Sequence, residues 1–213
     1  MTVMCSGEVP QRLRRKGQQI LEAARVVFME SGFDVSSMDA IARQAGVSKA
    51  TLYAHFQSKE DLFETLIRFE CQSIGARLYR PNPDAEAWTV ELEKWADQLR
   101  SILTTSDAPA LFRIILPVAT RFPRLAQIYF EEGLGSGIRD TAAFLQKLCD
   151  AGRLKIPDIE VAAKQFIFLI SGDMEVHSAL ALSPGSAEHS RALVRSGLDM
   201  FIAYYAADRP STL

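Results

Sequence analysis

The sequence predicts an all-α chain built as a small N-terminal three-helix domain followed by a larger helical domain. Three observations carry this. Apolar residues recur at three- and four-residue spacing along nearly the whole chain, and no segment alternates as a half-buried strand would. The repeats are punctuated by Ser, Asp and Asn where helices start and by Gly or Pro where they stop. One stretch, Ser36 to Asp61, packs three such starts into 26 residues.

The first helix is expected from about Arg12 to Ser31, with Ile20, Leu21, Ala24, Val27 and Phe28 on its inner face and Gly32-Phe33 closing it. Ser36, with Asp39 three residues on, is read as the cap of a second helix carrying Met38, Ile41, Ala42 and Ala45 inward. Gly46 ends that helix. Ser48 caps a third, short helix to about Tyr53 or His55, anchored by Leu52 and Phe56. Ser58 and Asp61 start a fourth, with Leu62, Phe63, Leu66, Ile67 and Ile74 on one side, and Pro81 and Pro83 end it.

Beyond that break, Asn82-Pro83 opens a helix bearing Trp88, Leu92, Trp95, Leu99 and Ile102, and Thr104 to Asp107 closes it. Further helices are expected over about 108–120 and 123–132. Gly133, Gly135 and Gly137 should separate these from one ending near Gly152. Pro157-Asp158 starts a long helix to about Leu182, Ser183 to Ser186 breaks it, and the final helix covers about 187–207. The domain division follows: an arm expected to be disordered (1–11), a small helical domain (12–60), a connecting helix (61–80), a larger helical domain (83–207) and a tail (208–213).

Two short helices around a Gly-containing turn are the outline of a helix-turn-helix. Bulk charge does not demand nucleic acid, since the 213 residues carry a net charge of -2. The distribution points the same way as the motif: residues 1–60 hold eight basic and six acidic residues, and the rest 16 and 20. Three unpaired, widely spaced cysteines suggest neither a disulfide framework nor a metal knuckle, so no metal or cofactor is expected. No apolar run approaches a membrane span, and a cytoplasmic chain with no membrane partner is expected.

Gly32-Phe33, Ser36-Ser37-Met38, Ile41-Ala42, Ala45-Gly46-Val47-Ser48, Thr51-Leu52-Tyr53, His55-Phe56 and Ser58-Lys59-Glu60 together resemble the TetR family of transcriptional regulators. Ser36 stands where that family usually has threonine, and Ala50 where glycine is commonest. Leu111-Phe112-Arg113, Phe122-Pro123, Tyr129-Phe130-Glu131 and Ala162 to Phe166 look like the C-terminal domain of its AefR-like subgroup. The resemblance implies a homodimer on double-stranded DNA, released when a small-molecule effector occupies the C-terminal domain.

Within that reading Lys49 and Thr51 face base edges in the major groove, because Lys donates to guanine and Thr bonds or offers its methyl to thymine. Ser37, Ser48, Tyr53, His55 and Lys59 hold phosphates, and Arg14, Arg15 and Lys16 form a basic arm that suits phosphate or minor-groove contacts and equally a solvated, disordered segment. His55 also suits packing against the fourth helix. Trp88, Trp95, Phe112, Phe130, Phe144, Met174 and His177 are candidates for the effector pocket, although an aromatic stripe equally suits plain core. Val161, Phe168, Leu169, Leu193, Leu198, Phe201, Ile202 and Tyr205 are candidates for a four-helix dimer interface or for the core behind it. The function expected is a dimeric repressor that holds a palindromic operator and leaves it when a mostly apolar effector binds. The alternatives are an effector-independent regulator or activator and, from another class, an all-α enzyme. The enzyme lacks a nucleophile elbow, paired carboxylates or a metal motif.

Overall fold

The computed structural model describes residues 15–105, 108–182 and 186–208. The expected arm at 1–11, Arg14, the centre of the break at 183–185 and the tail beyond Asp208 lie outside them. Among the described residues the named elements are all helices: α1 (Arg15–Val35, broken at Gly32), α2 (Met38–Gln44), α3 (Lys49–His55), α4 (Lys59–Ala76), α5 (Trp88–Thr105), α6 (Ala108–Ile115), a 3-10 turn (Leu116–Val118), α7 (Pro123–Glu132), α8 (Leu134–Asp150), α9 (Ile159–Ser171), α10 (Met174–Ala179) and α11 (Ala187–Tyr205). A single antiparallel bridge, Leu154 to Ala206, is the extended pairing among them.

Packing divides the chain otherwise than by chain order. One compact unit runs to Ala76 and also includes Ala110–Gly133; the other comprises Arg77–Pro109 and the chain from Leu134 onward. The first is built on Ile20, Phe28, Ile41, Leu52, Leu62, Phe63 and Leu66, all fully buried, and α7 adds Leu125 and Ile128 to the same core. Phe33 lies 4.8 Å from Phe63 and 5.2 Å from Phe122, centroid to centroid, so one aromatic cluster links α1, α4 and the segment entering α7. The α4–α7 contact is edged by ions: Glu64 accepts from Arg124 at 2.9 Å and from Arg68 at 3.2 Å, and Arg68 reaches Glu132 at 2.6 Å.

The second unit is built around Leu92, Trp95, Leu145, Leu148, Phe166, Ile170 and Phe201 from α5, α8, α9 and α11. Four sequence-based boundaries change. The α2 cap is Ser37, whose hydroxyl accepts from Ala40 N at 3.1 Å, whereas Ser36 is buried and donates back to the Phe33 carbonyl at 2.7 Å. The helix expected at Pro83 begins instead at Trp88, after a turn in which Asn82 Oδ1 accepts from Asp84 N. Gly133 alone separates α7 from α8; Gly135 and Gly137 lie inside α8, where packing outweighs their weak helix propensity. The long helix from Pro157 is two helices, broken at Gly172, whose φ of +50° takes the chain out of the right-handed region.

Candidate nucleic-acid interface

The interface is set by the turn between α2 and α3. Gly46 adopts φ +62°, and its N–H donates to Arg43 O at 3.1 Å while Val47 N–H donates to Ala42 O at 3.0 Å. These two bonds make a Schellman motif, which satisfies carbonyls that the end of α2 would leave open and requires the left-handed residue that glycine supplies without strain. Gln19 Nε2 donates to Ala45 O at 2.7 Å, tying the turn to α1.

Ser48 then starts α3: its hydroxyl accepts from Thr51 N at 3.1 Å and lies 2.8 Å from Thr51 Oγ1. Leu52 is fully buried, and Phe56, just past the last turn, is buried too, so the helix is fixed from below. The opposite side stays open. Ser48, Lys49 and Tyr53 are exposed and Thr51 and His55 half-exposed, which leaves a face of hydroxyls, one ammonium and one imidazole. Ser58 and Asp61 cap α4 as expected; Ser58 Oγ accepts from Asp61 N at 3.1 Å, and the Asp61 carboxylate from Gln57 N at 2.9 Å.

Lys59 is placed differently from its expected role at a phosphate. Its ammonium donates to the carbonyls of Phe33 at 2.7 Å, Ser36 at 3.0 Å and Asp34 at 3.3 Å, and lies 4.4 Å from the centre of the Phe33 ring. It thereby fixes the segment between the break in α1 at Gly32 and the start of α2. Lys49 also has a partner that sequence reasoning missed: Asp39 Oδ2, 2.6 Å from Nζ. No periodicity signals that pair, since the two residues stand on different helices ten positions apart.

The effector candidates are divided between the two units. Phe112 and Phe130 belong to the first unit, where Phe112 stacks on Tyr129 at 5.9 Å and Phe130 is exposed. Trp95, Phe144 and Met174 are core residues of the second unit, with half-buried Trp88 packed against them. Trp95 Nε1 donates to Thr141 Oγ1 at 3.0 Å, so its polar edge is already satisfied. His177 sits partly exposed, 3.4 Å from Asp173.

The dimer candidates split by depth. Leu198, Phe201 and Tyr205 are buried, and Leu193 and Ile202 are half-buried against the same core, because α11 turns these positions toward α9 and α5; Leu169 of α9 is half-buried against it too. Phe168 and Val161 remain outside, 54% and 46% exposed. Met200 and Tyr204, which the helical stripe did not include, are 58% and 59% exposed. Phe168, Met200 and Tyr204, with Gln165, Leu169 and Ala203, line an apolar groove of about 720 Å³ along α9 and α11, floored by Phe201 and Tyr205.

A capped, outward-facing helix behind a tight turn, set on an all-α body, defines the class: a helix-turn-helix DNA-binding regulator. Residues 20–66 match the model of the bacterial regulatory proteins of the TetR family, and residues 90–207 that of the C-terminal domain of AefR-like transcriptional repressors. The chain belongs to the TetR family, with an AefR-like C-terminal domain. It is a transcriptional regulator and not an enzyme.

Among solved structures, the flavonoid-responsive regulator FrrA is 38% identical, with a TM-score of 0.81 over 91% of this chain and 98% of its own. An uncharacterised HTH-type regulator of Bacillus subtilis, YfiR, is 26% identical over 179 residues, 83% of this chain and 85% of its own. The regulator UidR of Escherichia coli K12 is 43% identical over 63 residues, 30% of this chain, and that match spans about a third (32%) of UidR. Among the described residues no helix is long and apolar enough to cross a membrane.

Proposed function

We propose that the chain is a homodimeric repressor acting in the cytoplasm, holding a palindromic operator through α3 and released from it by a small, mostly apolar effector bound in the second unit. The observation that carries this reading is the exposed face of α3, with Lys49 and Thr51 at its first turn and Tyr53 and His55 behind them, held by buried Leu52. Lys49 and Thr51 are assigned to base edges, and Ser37, Ser48, Tyr53 and His55 to phosphates. The exposed groove along α9 and α11 supports a two-fold dimer, which calls for two half-sites about one helical turn apart or a multiple of it. Release follows if effector occupancy shifts the separation of the two reading helices, since both half-sites must be engaged together.

The likeness to FrrA favours a planar aromatic effector. The test is selection of bound DNA from a random-core duplex pool with the purified protein, followed by titration of the selected duplex complex with flavonoids. A palindromic consensus released by micromolar flavonoid supports the reading. A non-palindromic consensus overturns the symmetric dimer, and complexes untouched by flavonoids overturn that effector class.

A further inference from the structure

Asp39 stands where a DNA-binding surface should not tolerate a carboxylate. It lies in the first turn of α2, two residues past the Ser37 cap, and its Oδ2 is 2.6 Å from Nζ of Lys49, the first residue of α3. Both side chains are open to solvent, at 54% and 64% exposure. An ion pair so exposed contributes little to stability, because water screens it and two long side chains must be ordered to hold it. Fold stability therefore does not account for it. On DNA it carries a cost: the carboxylate neutralises a cation of the reading helix and repels the phosphates that non-specific binding depends on.

The pair makes sense at one base pair. In the major groove a G·C pair presents the guanine N7 and O6 acceptors beside the cytosine N4 donor, with O6 and N4 about 2.9 Å apart as a hydrogen-bonded pair. An ammonium and a carboxylate held 2.6 Å apart are the complementary donor and acceptor at matching spacing. An A·T pair, which places the N6 donor between its adenine N7 and thymine O4 acceptors, offers the ammonium one acceptor beside the donor where G·C offers N7 and O6 together, so one of the contacts to Lys49 is lost there.

We propose that Asp39 is a specificity-determining residue of the DNA interface: it fixes the direction of the Lys49 ammonium toward guanine, accepts from N4 of the paired cytosine, and disfavours sequences lacking that G·C pair. The inference rests on α3 being the helix that enters the groove.

The experiment compares the full-length protein with Asp39→Ala and Asp39→Asn by selection from a random-core duplex pool. Affinity for a mixed-sequence duplex is then measured over a range of salt. The wild type should enrich a G·C pair at one position of each half-site and prefer it over A·T by about five- to a hundredfold. Asp39→Ala should lose that preference while binding the mixed-sequence duplex about three- to tenfold more tightly at low salt. Asp39→Asn keeps an acceptor without the charge, so it should bind mixed sequence more tightly yet retain part of the preference. Base preferences identical in all three proteins, with unchanged affinity for mixed sequence, overturn the role of Asp39 and leave α3 intact. A wild type that enriches no sequence overturns the reading of α3, and the proposal with it.

Discussion

The ammonium of Lys59 lies 2.7 Å from the carbonyl oxygen of Phe33 and 4.4 Å from the centre of the Phe33 ring. The first residue of α4 thus ties down the short segment that follows the break in α1 at Gly32, supplying donors for the carbonyls of Phe33, Asp34 and Ser36. Lys59→Met keeps the stem over the ring and removes the donors. It should lower the stability of the first unit by about 1–3 kcal/mol, the usual worth of hydrogen bonds to a charged group. Urea unfolding followed by circular dichroism measures this. A variant as stable as the wild type but deficient on DNA would instead return Lys59 to a phosphate.

In the second unit, Thr141 is fully buried and accepts from Trp95 Nε1 while its own hydroxyl donates to Gly137 O at 2.8 Å. Thr141→Val preserves shape and strands the indole N–H in apolar surroundings, at about 1–3 kcal/mol; Thr141→Ser should lose much less. Trp88 and Trp95, the two tryptophans of the chain, both belong to this unit, so fluorescence-detected unfolding reads it directly. A Thr141→Val protein with an unchanged midpoint would refute this use of the bond.

Glu91 makes the stability of the second unit depend on acid. Its carboxylate accepts from Lys94 Nζ at 2.8 Å, from the Tyr79 hydroxyl and from Asn82 N–H at 2.8 Å, and these bonds hold it at about 2, against an ordinary 4.5. A carboxyl group lowered on folding stabilises the native state fully above its ordinary value. That contribution is lost as pH falls from about 4.5 toward 2. Glu91→Gln should therefore be less stable than the wild type at neutral pH, with the gap narrowing across that window. Paired denaturation curves at successive pH values check this, and a gap independent of pH would contradict it.

The residues that were legible in the sequence are those whose role is local. Ser48, Gly46 and the Ser58–Asp61 cap announce themselves because a cap or a turn is decided within four residues. Leu52, Ile41 and Phe63 show by helical spacing which way they point. What escaped depends on distance or on rotation about a helix axis. Lys59 looked like a free cation because Phe33 is 26 residues away. Asp39 could not be paired with Lys49 until the turn was folded. Phe201 on α11 and Phe168 on α9 each belong to an apolar stripe of their own helix, yet one is 1% and the other 54% exposed, a difference set by how α9 and α11 lie against α5 and α8. The α2 cap moved from Ser36 to Ser37 because either hydroxyl satisfies the pattern, and the Phe33 carbonyl captures the first.

The α9–α11 surface yields the sharpest prediction for assembly. At Gly197 an added Cβ would lie 2.6 Å from the Leu169 carbonyl oxygen, so the two helices touch backbone to backbone there and present one continuous face. Phe168, Met200 and Tyr204 project from that face, more than half exposed, around the groove they line. An apolar patch of this kind is read as a protein interface. Phe168→Glu puts a charge on it without disturbing the core, since Phe168 is not part of the buried cluster. The variant should keep the wild-type thermal unfolding of its helices at low concentration, sediment as a monomer, and lose operator affinity by roughly a hundredfold as the second half-site ceases to be linked to the first. Gly197→Ala acts from beneath, forcing the helices apart at about 1–3 kcal/mol and weakening the same association. A Phe168→Glu protein that remains dimeric by analytical ultracentrifugation would move the interface off α9 and α11.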